Sequence, residues 1–381
     1  MMYLALKEMR RAKVRFGLLT GAVALLILLI LFLQALLTGL VNQFIGAIEN
    51  QDTDVLVYNA QARKNLEGSV ILAGQLDAVR AVSGVAAAQP LGEGTFTVTA
   101  NETEQDAVIF GYTLGGPGAP STLVEGRLPA GGGEAVASSR NVADGFGIGD
   151  QVQVLPGPGS DAPITFTVVG LAEEINYSVS PVMFTDFASF ESAKRTVNPD
   201  ATEVLPSALA VRVAEGSKPA VVATAINDAV DGVQALTREQ AVDGSPGVAS
   251  VQQSFVVILL LFYLVVPLVT GLFFLIVTFQ KAGALTLLRA IGVPSAPLVR
   301  SLLGQVCIVV LGGALVATAI FALIASGSGG SSSLSISADP VTITATTLGI
   351  LALALLTSLG AARRVLRIDP IAATTGAGVH I

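Results

Sequence analysis

Residues 16–48 read FGLLTGAVALLILLILFLQALLTGLVNQFIGAI, a run without one acidic or basic side chain from Phe16 to Ile48. A helix needs about 20 mostly apolar residues to cross the ~30 Å hydrocarbon core of a bilayer, and this run is longer. Phe16–Val41 is therefore predicted to span a membrane. At 1.5 Å per residue the whole run would form a helix about 50 Å long. Its last part, through Asn42, Gln43, Phe44 and Ile45, is expected to stand above the outer surface as a stalk.

Three further stretches carry no charge: those between Phe255 and Gln280, Ser301 and Ala338, and Pro340 and Ala362. They give spans at Phe255–Phe279, Leu302–Ala325 and Val341–Ala362, the second of these shortened by a Ser/Gly-rich tail. Only 13% of the residues are charged, against about 25% in ordinary soluble domains. Buried helices of a soluble protein rarely run this long without a polar face. A secretory signal has an apolar core of only about 7–15 residues. The first run exceeds that, and no A-x-A pattern follows it, so it is expected to stay in the chain.

Charge sets the orientation. Lys7, Arg10, Arg11, Lys13 and Arg15 precede the first span; Lys281, Arg289 and Arg300 lie between the second and third; Arg363, Arg364 and Arg367 follow the fourth. With Glu8 and Asp369 these segments sum to +9, whereas Asn42–Ser254 carries a net −15. Positive loops stay in the cytoplasm, so both termini are expected inside and the long acidic segment outside. The chain then divides into a cytoplasmic amphipathic helix (1–15), a first span with stalk (16–48), an extracytoplasmic domain (49–247), a second stalk and span (248–279), a cytoplasmic segment (280–300), a third span (301–325), a short outer loop (326–340), a fourth span (341–362) and a cytoplasmic tail (363–381).

The outer domain reads as α+β, which makes the fold class an α-helical polytopic membrane protein with a large α+β domain inserted between helices 1 and 2. Asp54–Tyr58, Thr95–Thr99, Ala107–Tyr112, Gln151–Leu155, Ile164–Val169 and Ala208–Val213 have strand character. Leu72–Val82 and Pro219–Val230 have helical spacing. The Gly/Pro-rich stretch from Gly115 to Gly133 reads as surface loop. Val248–Gln253 is a second stalk strut. The lone cysteine, Cys307, leaves no disulfide within the chain, so the outer segment must build its own core, for which it is long enough.

Several chemistries are missing. There is no G-x-x-x-x-G-K-[ST] phosphate loop and no G-x-S-x-G. The one histidine, His380, leaves no Ser-His-Asp triad and no His/Cys metal cluster. The spans hold no acid, base or His of the kind that proton- or ion-coupled transporters use. A polytopic chain without an energy source is passive or takes its energy from a partner. Nothing points to nucleic acid.

Between the second and third spans the chain reads Gln280-Lys281-Ala282-Gly283-Ala284-Leu285-Thr286-Leu287-Leu288-Arg289-Ala290-Ile291-Gly292. Leu285, Leu288 and Ile291 share a helical face, and Gly292 with Pro294 ends it. A partnerless helix at the membrane surface would look the same. The L-L-R-A-I-G pattern, however, resembles the coupling segment of MacB/FtsX-like permeases, the membrane subunits of one class of ABC exporter. Leu4–Arg11 resembles that family's basic N-terminal helix, and Arg367-Ile368-Asp369-Pro370-Ile371-Ala372-Ala373 resembles its R-x-D-P-x-x-A ending. Gly126-Arg127-Leu128-Pro129 and Gly147-Ile148-Gly149-Asp150 are similar to a strand-and-turn region of its outer domain. One span, a large outer domain and three more spans is the family layout. One departure is Ala284, where many members carry Glu.

The resemblance implies a non-catalytic subunit in a bacterial plasma membrane, paired with a cytoplasmic ABC ATPase as two permeases with two ATPases, a permease homodimer in lipid. Lys281, Leu285, Leu288, Arg289, Ile291 and Gly292 would meet the ATPase. Gly271 and the Gly312–Gly313 pair could permit close helix contact. Ile48-Glu49-Asn50-Gln51 with Val55-Leu56-Val57-Tyr58, following a basic N-terminal helix, looks most like the haem-efflux members. That implies no resident cofactor and haem as substrate, with Glu49, Tyr263 and Tyr177 as candidate oxygen ligands, Tyr being a known haem ligand. The plain alternatives are a solvated helix end for Glu49, an interfacial or packed aromatic for Tyr263, and a surface-loop residue for Tyr177. Two other functions fit the same layout: a non-transporting relay that regulates an extracellular enzyme such as a cell-wall hydrolase, and a membrane receptor without an ATPase.

Overall fold

A computed structural model describes residues 13–160, 162–246, 248–280, 295–327 and 340–366. In chain order its elements are α1 (Lys13–Glu49), β1 (Val55–Asn59), α2 (Ala73–Arg80), β2 (Val85–Ala100), β3 (Thr103–Tyr112), β4 (Leu123–Gly126), β5 (Glu134–Ser138), β6 (Gln151–Val154) and β7 (Ile164–Ala172). Then come β8 (Val182–Asp186), α3 (Phe187–Val197), β9 (Ala208–Val213), α4 (Pro219–Ala229), β10 (Val233–Thr237), α5 (Arg238–Asp243), α6 (Val248–Gln280), α7 (Ser295–Gly327) and α8 (Pro340–Leu366). The chain forms two compact units, residues 1–37 with 254–381, and Thr38–Gln253.

Among the described residues four helices are long and apolar enough to cross a membrane: Lys13–Glu49, Val251–Ile276, Leu303–Ala325 and Val341–Gly360. In hydrocarbon a helix satisfies every backbone group internally, which is why uninterrupted Leu, Ile, Val and Ala runs take this form. α1 is apolar on all sides. Val23, Ile27 and Ile30 are buried against protein, whereas Val14, Leu18 and Leu25 point outward, where lipid would cover them. Glycines bring the helices together, as is usual where apolar burial gives no driving force between them. A Cβ on Gly313 would lie 3.1 Å from Val23 Cγ1 and 3.2 Å from the Ala24 nitrogen, and one on Gly271 would lie 3.2 Å from Thr357 Cβ. The close contacts these glycines allow are thus made inside the chain, α7 on α1 and α6 on α8.

The extracytoplasmic α+β domain is one ten-stranded sheet in the order β10-β1-β9-β2-β3-β8-β5-β7-β4, with β6 bridging β7 back to β2. That bridge closes six strands (β2, β3, β8, β5, β7 and β6) into a ring. Phe96, Ile109, Ala137, Val152, Phe166 and Met183, one from each strand, fill its interior. α3 plugs the ring with Phe190. On β2 and β3 the register partners Gly92 and Gly111 clear the space for it: a Cβ at either would lie 2.2 or 2.4 Å from the Phe190 side chain. The β2–β3 hairpin turns through Asn101 (φ 48°) and Glu102 (φ 60°), the left-handed pair that matches strand twist.

A second core lies on the other face of β3 and β8, where Phe110 stacks on Phe184 at 5.0 Å and Tyr58, Tyr112 and Tyr177 surround them. Ala47 and Ile48, from the last turn of α1, belong to this core. A third core sits where β1, β9 and β10 meet α2 and α4. Edge strand β10 is blocked rather than open: the Asn227 amide donates to the Ala235 carbonyl at 2.9 Å and accepts its N–H at 2.7 Å. That hinders addition of a foreign strand.

The two outer-domain motifs turn out to be architectural. Arg127 forms a two-pronged ion pair with Glu134 at the start of β5, which holds the Glu134 carboxyl down at about 2, the Arg127 hydrogen bond first and the Ala130 N–H second. Gly126 is needed because its Cβ would lie 2.3 Å from the Val169 carbonyl. Asp150 Oδ2 accepts the Gly147 N–H at 2.7 Å, closing the turn into β6. Gly115–Gly133, expected as loop, contains exposed edge strand β4. Its partner β7 is remote in sequence, so local composition carries no sign of it.

Candidate functional site

Tyr263 sits in the middle of α6, and the bundle gives its hydroxyl two polar neighbours. Gln34 of α1 donates from Nε2 to Tyr263 Oη at 3.4 Å, Tyr263 donates to Thr346 Oγ1 of α8 at 3.3 Å, and Thr346 donates to Gln34 Oε1 at 3.0 Å. Each group donates once and accepts once, so the ring satisfies polar atoms that would be costly alone in an apolar bundle. Tyr263 Oη keeps a free lone pair. Thr346 is buried, and the ring ties three spans together.

The Tyr263 side chain also lines an apolar groove between α6 and α8, about 750 Å³ in volume, with Leu264, Pro267, Gly271, Leu353 and Thr357 among its walls. That volume lies in the range of small-molecule sites, about 300–1,000 Å³, which are mostly apolar with a few placed polar groups. Pro267 lacks an N–H, so α6 loses the bond that would have run back to Tyr263. Thr357 reaches across from α8 and donates to the Pro267 carbonyl at 3.2 Å. Leu264 and Leu268 are more than half exposed, which leaves the groove open at the surface of the chain.

Glu49 and Tyr177 lie elsewhere, in the extracytoplasmic unit. Glu49 is exposed at the end of α1, with the charges of Glu174 and Arg238 facing it. Tyr177 is a core residue rather than a surface-loop one: it is 8% exposed and its ring meets Phe110 edge-on at 5.5 Å. Burial first, then the nearby Glu93, Tyr58 and Glu67, push its ionisation far above the ordinary range, so it is held as a neutral phenol. Both residues flank one junction, between the end of α1 and the loop after β7.

At the opposite end of the membrane unit, Arg15 donates to Gln280 Oε1 at 2.6 Å and lies 5.3 Å from the centre of the Phe273 ring. The start of α1 is thereby tied to the residue that opens the expected coupling segment. Lys281, Leu285, Leu288, Arg289, Ile291 and Gly292 themselves, the N-terminal helix through Arg11, and the Arg367–Ala373 tail lie outside the described residues.

Gln34 and Thr346 were not singled out from the sequence. Gln34 gives a usable signal, the lone amide inside Phe16–Val41. Thr346 gives none, since threonine in an apolar helix commonly bonds its own backbone.

Four helices apolar enough to span a membrane and an inserted extracytoplasmic α+β domain define an integral membrane protein. Residues 16–229 match the MacB-like periplasmic core domain and residues 256–370 the FtsX-like permease C-terminal region. The first match covers more than half the chain, which therefore belongs to the MacB/FtsX-like permease family, whose members pair with an ABC ATPase in a membrane. A curated relative, "Putative hemin transport system permease protein HrtB" of Staphylococcus epidermidis, is 23% identical over 323 residues, covering 85% of each chain. Its namesake from Staphylococcus haemolyticus is 22% identical over 333 residues with the same coverage. Among solved structures, the periplasmic region of MacB from Actinobacillus actinomycetemcomitans aligns at TM-score 0.35 and 11% identity, over 51% of this chain and 92% of that one. The extracellular domain of YknZ from Gram-positive bacteria aligns at TM-score 0.32 and 15% identity, over 48% of this chain and 99% of that one.

Proposed function

We propose that this chain is the membrane subunit of an ATP-driven exporter that takes a haem-like amphiphile from the lipid through the groove between α6 and α8. The observation that carries the proposal is the groove itself, an apolar slot whose lining includes Tyr263 and Thr357. An amphiphile would lay its flat apolar body against Leu264, Gly271 and Leu353, and its polar or ferric centre would meet Tyr263. The relatives named for hemin transport support haem as the chemical class. Glu49 is the outer-side candidate in this reading, Tyr177 being packed into the domain core, and residues 280–300 are the segment gripped by a cytoplasmic ATPase, with both termini on that side of a bacterial plasma membrane. The working complex is two permeases with two ATPases.

Titrating the purified full chain with haemin tests the site. Wild type is expected to give a saturable Soret shift, and Tyr263→Phe to bind at least tenfold more weakly, about 1.4 kcal/mol. Gln34→Leu, which removes the donor to Tyr263 Oη, should weaken binding by a smaller factor. Equal affinity in wild type and Tyr263→Phe would remove Tyr263 from the site. Absence of any shift in wild type, with an extracellular hydrolase co-purifying, would instead favour the relay that regulates such an enzyme.

A further inference from the structure

The last turn of α1 is fastened to the segment after β7 by main-chain hydrogen bonds. The Ala47 N–H donates to the Asn176 carbonyl at 3.0 Å, the Ser178 N–H to Phe44 at 3.2 Å, and the Val179 N–H to Gln43 at 3.0 Å. Asn50 Nδ2 adds a bond to the Glu174 carbonyl at 2.8 Å. A helix accepts partners on its own backbone this way only where nothing keeps them apart, and the residue at the crossing is Gly46. A Cβ there would lie 2.2 Å from the Glu174 carbonyl oxygen and 3.3 Å from that of Asn176. Both obstacles are backbone, so no side chain can move aside. Glycine inside a helix costs about 1 kcal/mol relative to alanine, and the close approach is what this one returns.

The partner segment is held on its far side too. Tyr177 packs on Phe110 of β3, and Asn176 Oδ1 accepts from Ser138 at the end of β5 at 2.6 Å. In between, Glu174 (φ 55°), Ser178 (φ 50°) and Val179 (φ 63°) adopt left-handed backbone, and Glu173–Pro181 contains no glycine. For β-branched valine this conformation is a true outlier. Val179 is half exposed, so core packing does not force it. Ser178 and Val179 are the two central residues of a tight turn closed by the Ser180 N–H on the Tyr177 carbonyl at 3.0 Å, and the Val179 N–H donates onward to the Gln43 carbonyl. Residues so strained persist only where their surroundings over-determine them, and they cluster at switches.

We propose that Gly46 is the positioning residue that lets α1 drive the extracytoplasmic domain, with Glu174–Val179 as the clasp that receives the movement. This rests on the reading above that a cytoplasmic ATPase drives the chain. A shift of α1 acts on the clasp through bonds that no side-chain rotation can slacken. The clasp then passes it to β3 through Tyr177 and to β5 through Asn176. When the helix withdraws, Ser178 and Val179 lose their bonds to it and the strained turn is free to relax, which gives the joint two states.

Hydrogen–deuterium exchange over residues 174–180 tests this, on the full chain in nanodiscs with the ATPase that co-purifies with it, with and without ATP. Wild type should show an ATP-dependent change there. Gly46→Ala, which cannot seat the clasp, and Val179→Pro, which deletes the N–H and forbids the positive φ, should lose that change while ATP hydrolysis continues. Val179→Gly, which keeps the N–H and favours the conformation, should retain it. If Gly46→Ala fails to fold, Val179→Pro still decides, because Val179 is half exposed and belongs to none of the buried cores. A wild-type response in both disabling variants would overturn the assignment of Gly46 and the clasp alone. No ATP-dependent change anywhere in the wild-type domain would overturn the ATP-driven reading and this inference together.

Discussion

Phe190→Ala is expected to lower the stability of the extracytoplasmic domain by about 3–5 kcal/mol, the range for removing a large buried aromatic. The upper part of that range applies because the cavity cannot collapse. Gly92 and Gly111 have no side chains to move into it, and the sheet around them is closed into a ring by β6. The ring of Phe190 also meets Phe96 edge-on at 6.1 Å and carries the Lys194 ammonium at 5.5 Å, so both contacts go with it. At about 2–4 °C per kcal/mol for a domain of this size, the thermal transition should fall by on the order of 10 °C. Thermal unfolding of the full chain in detergent, followed by hydrogen exchange in β2 and β3, checks this. A fall of a degree or less would mean that α3 is not the plug of the ring.

Glu93→Gln should change how stability depends on pH. Glu93, on β2, is 3% exposed, and its Oε2 has no hydrogen-bond partner among the described residues. Burial pushes its carboxyl from 4.5 up to about 7; Lys194 opposes the rise and Glu67 adds to it. A carboxyl with a raised folded-state pKa holds its proton more tightly in the native chain than in the unfolded one. Stability is therefore full below about pH 4.5, falls through the window to about pH 7, and stays lower beyond it. At about 1.4 kcal/mol per pH unit the loss approaches about 3 kcal/mol above pH 7. Gln cannot ionise, so the variant should match wild type near pH 4.5 and exceed it near pH 8, by on the order of 6–12 °C in Tm. The Arg127–Glu134 pair acts in the opposite sense and only below about pH 4.5, outside this window. A slope between pH 5 and 7 that persists in Glu93→Gln would place the responsible group elsewhere.

The membrane spans were legible because hydrocarbon imposes one rule on every residue, and a charge-free run such as Phe16–Ile48 has few other readings. The outer domain was legible only where an element carries its own signal. Ala208–Val213 and Pro219–Ala229 announce themselves by β-branched content and by helical spacing after an N-terminal proline. β5 (EAVAS) and β10 (VQALT) do not, because what makes them strands is pairing with segments far away in sequence. β3 hides its alternation for a related reason: Phe110 and Tyr112 enter one core while Ala107 and Ile109 enter another, so both faces are apolar. The asymmetry holds for the sites as well. Tyr263 drew notice as a phenol within a span, but its partners sit 229 and 83 residues away. Gly46 looked like any glycine in an apolar helix, and only the carbonyl 2.2 Å from its absent Cβ gives it a task.

The central claim is that an amphiphile in the α6/α8 groove engages an ATP-driven permease. ATP hydrolysis by the full chain with its co-purifying ATPase in nanodiscs, measured as haemin is titrated in, tests it most directly. Haemin is expected to stimulate hydrolysis saturably in wild type and to have no such effect in Leu268→Trp, which fills the groove. A hydrolysis rate in wild type that stays flat across the titration would contradict it.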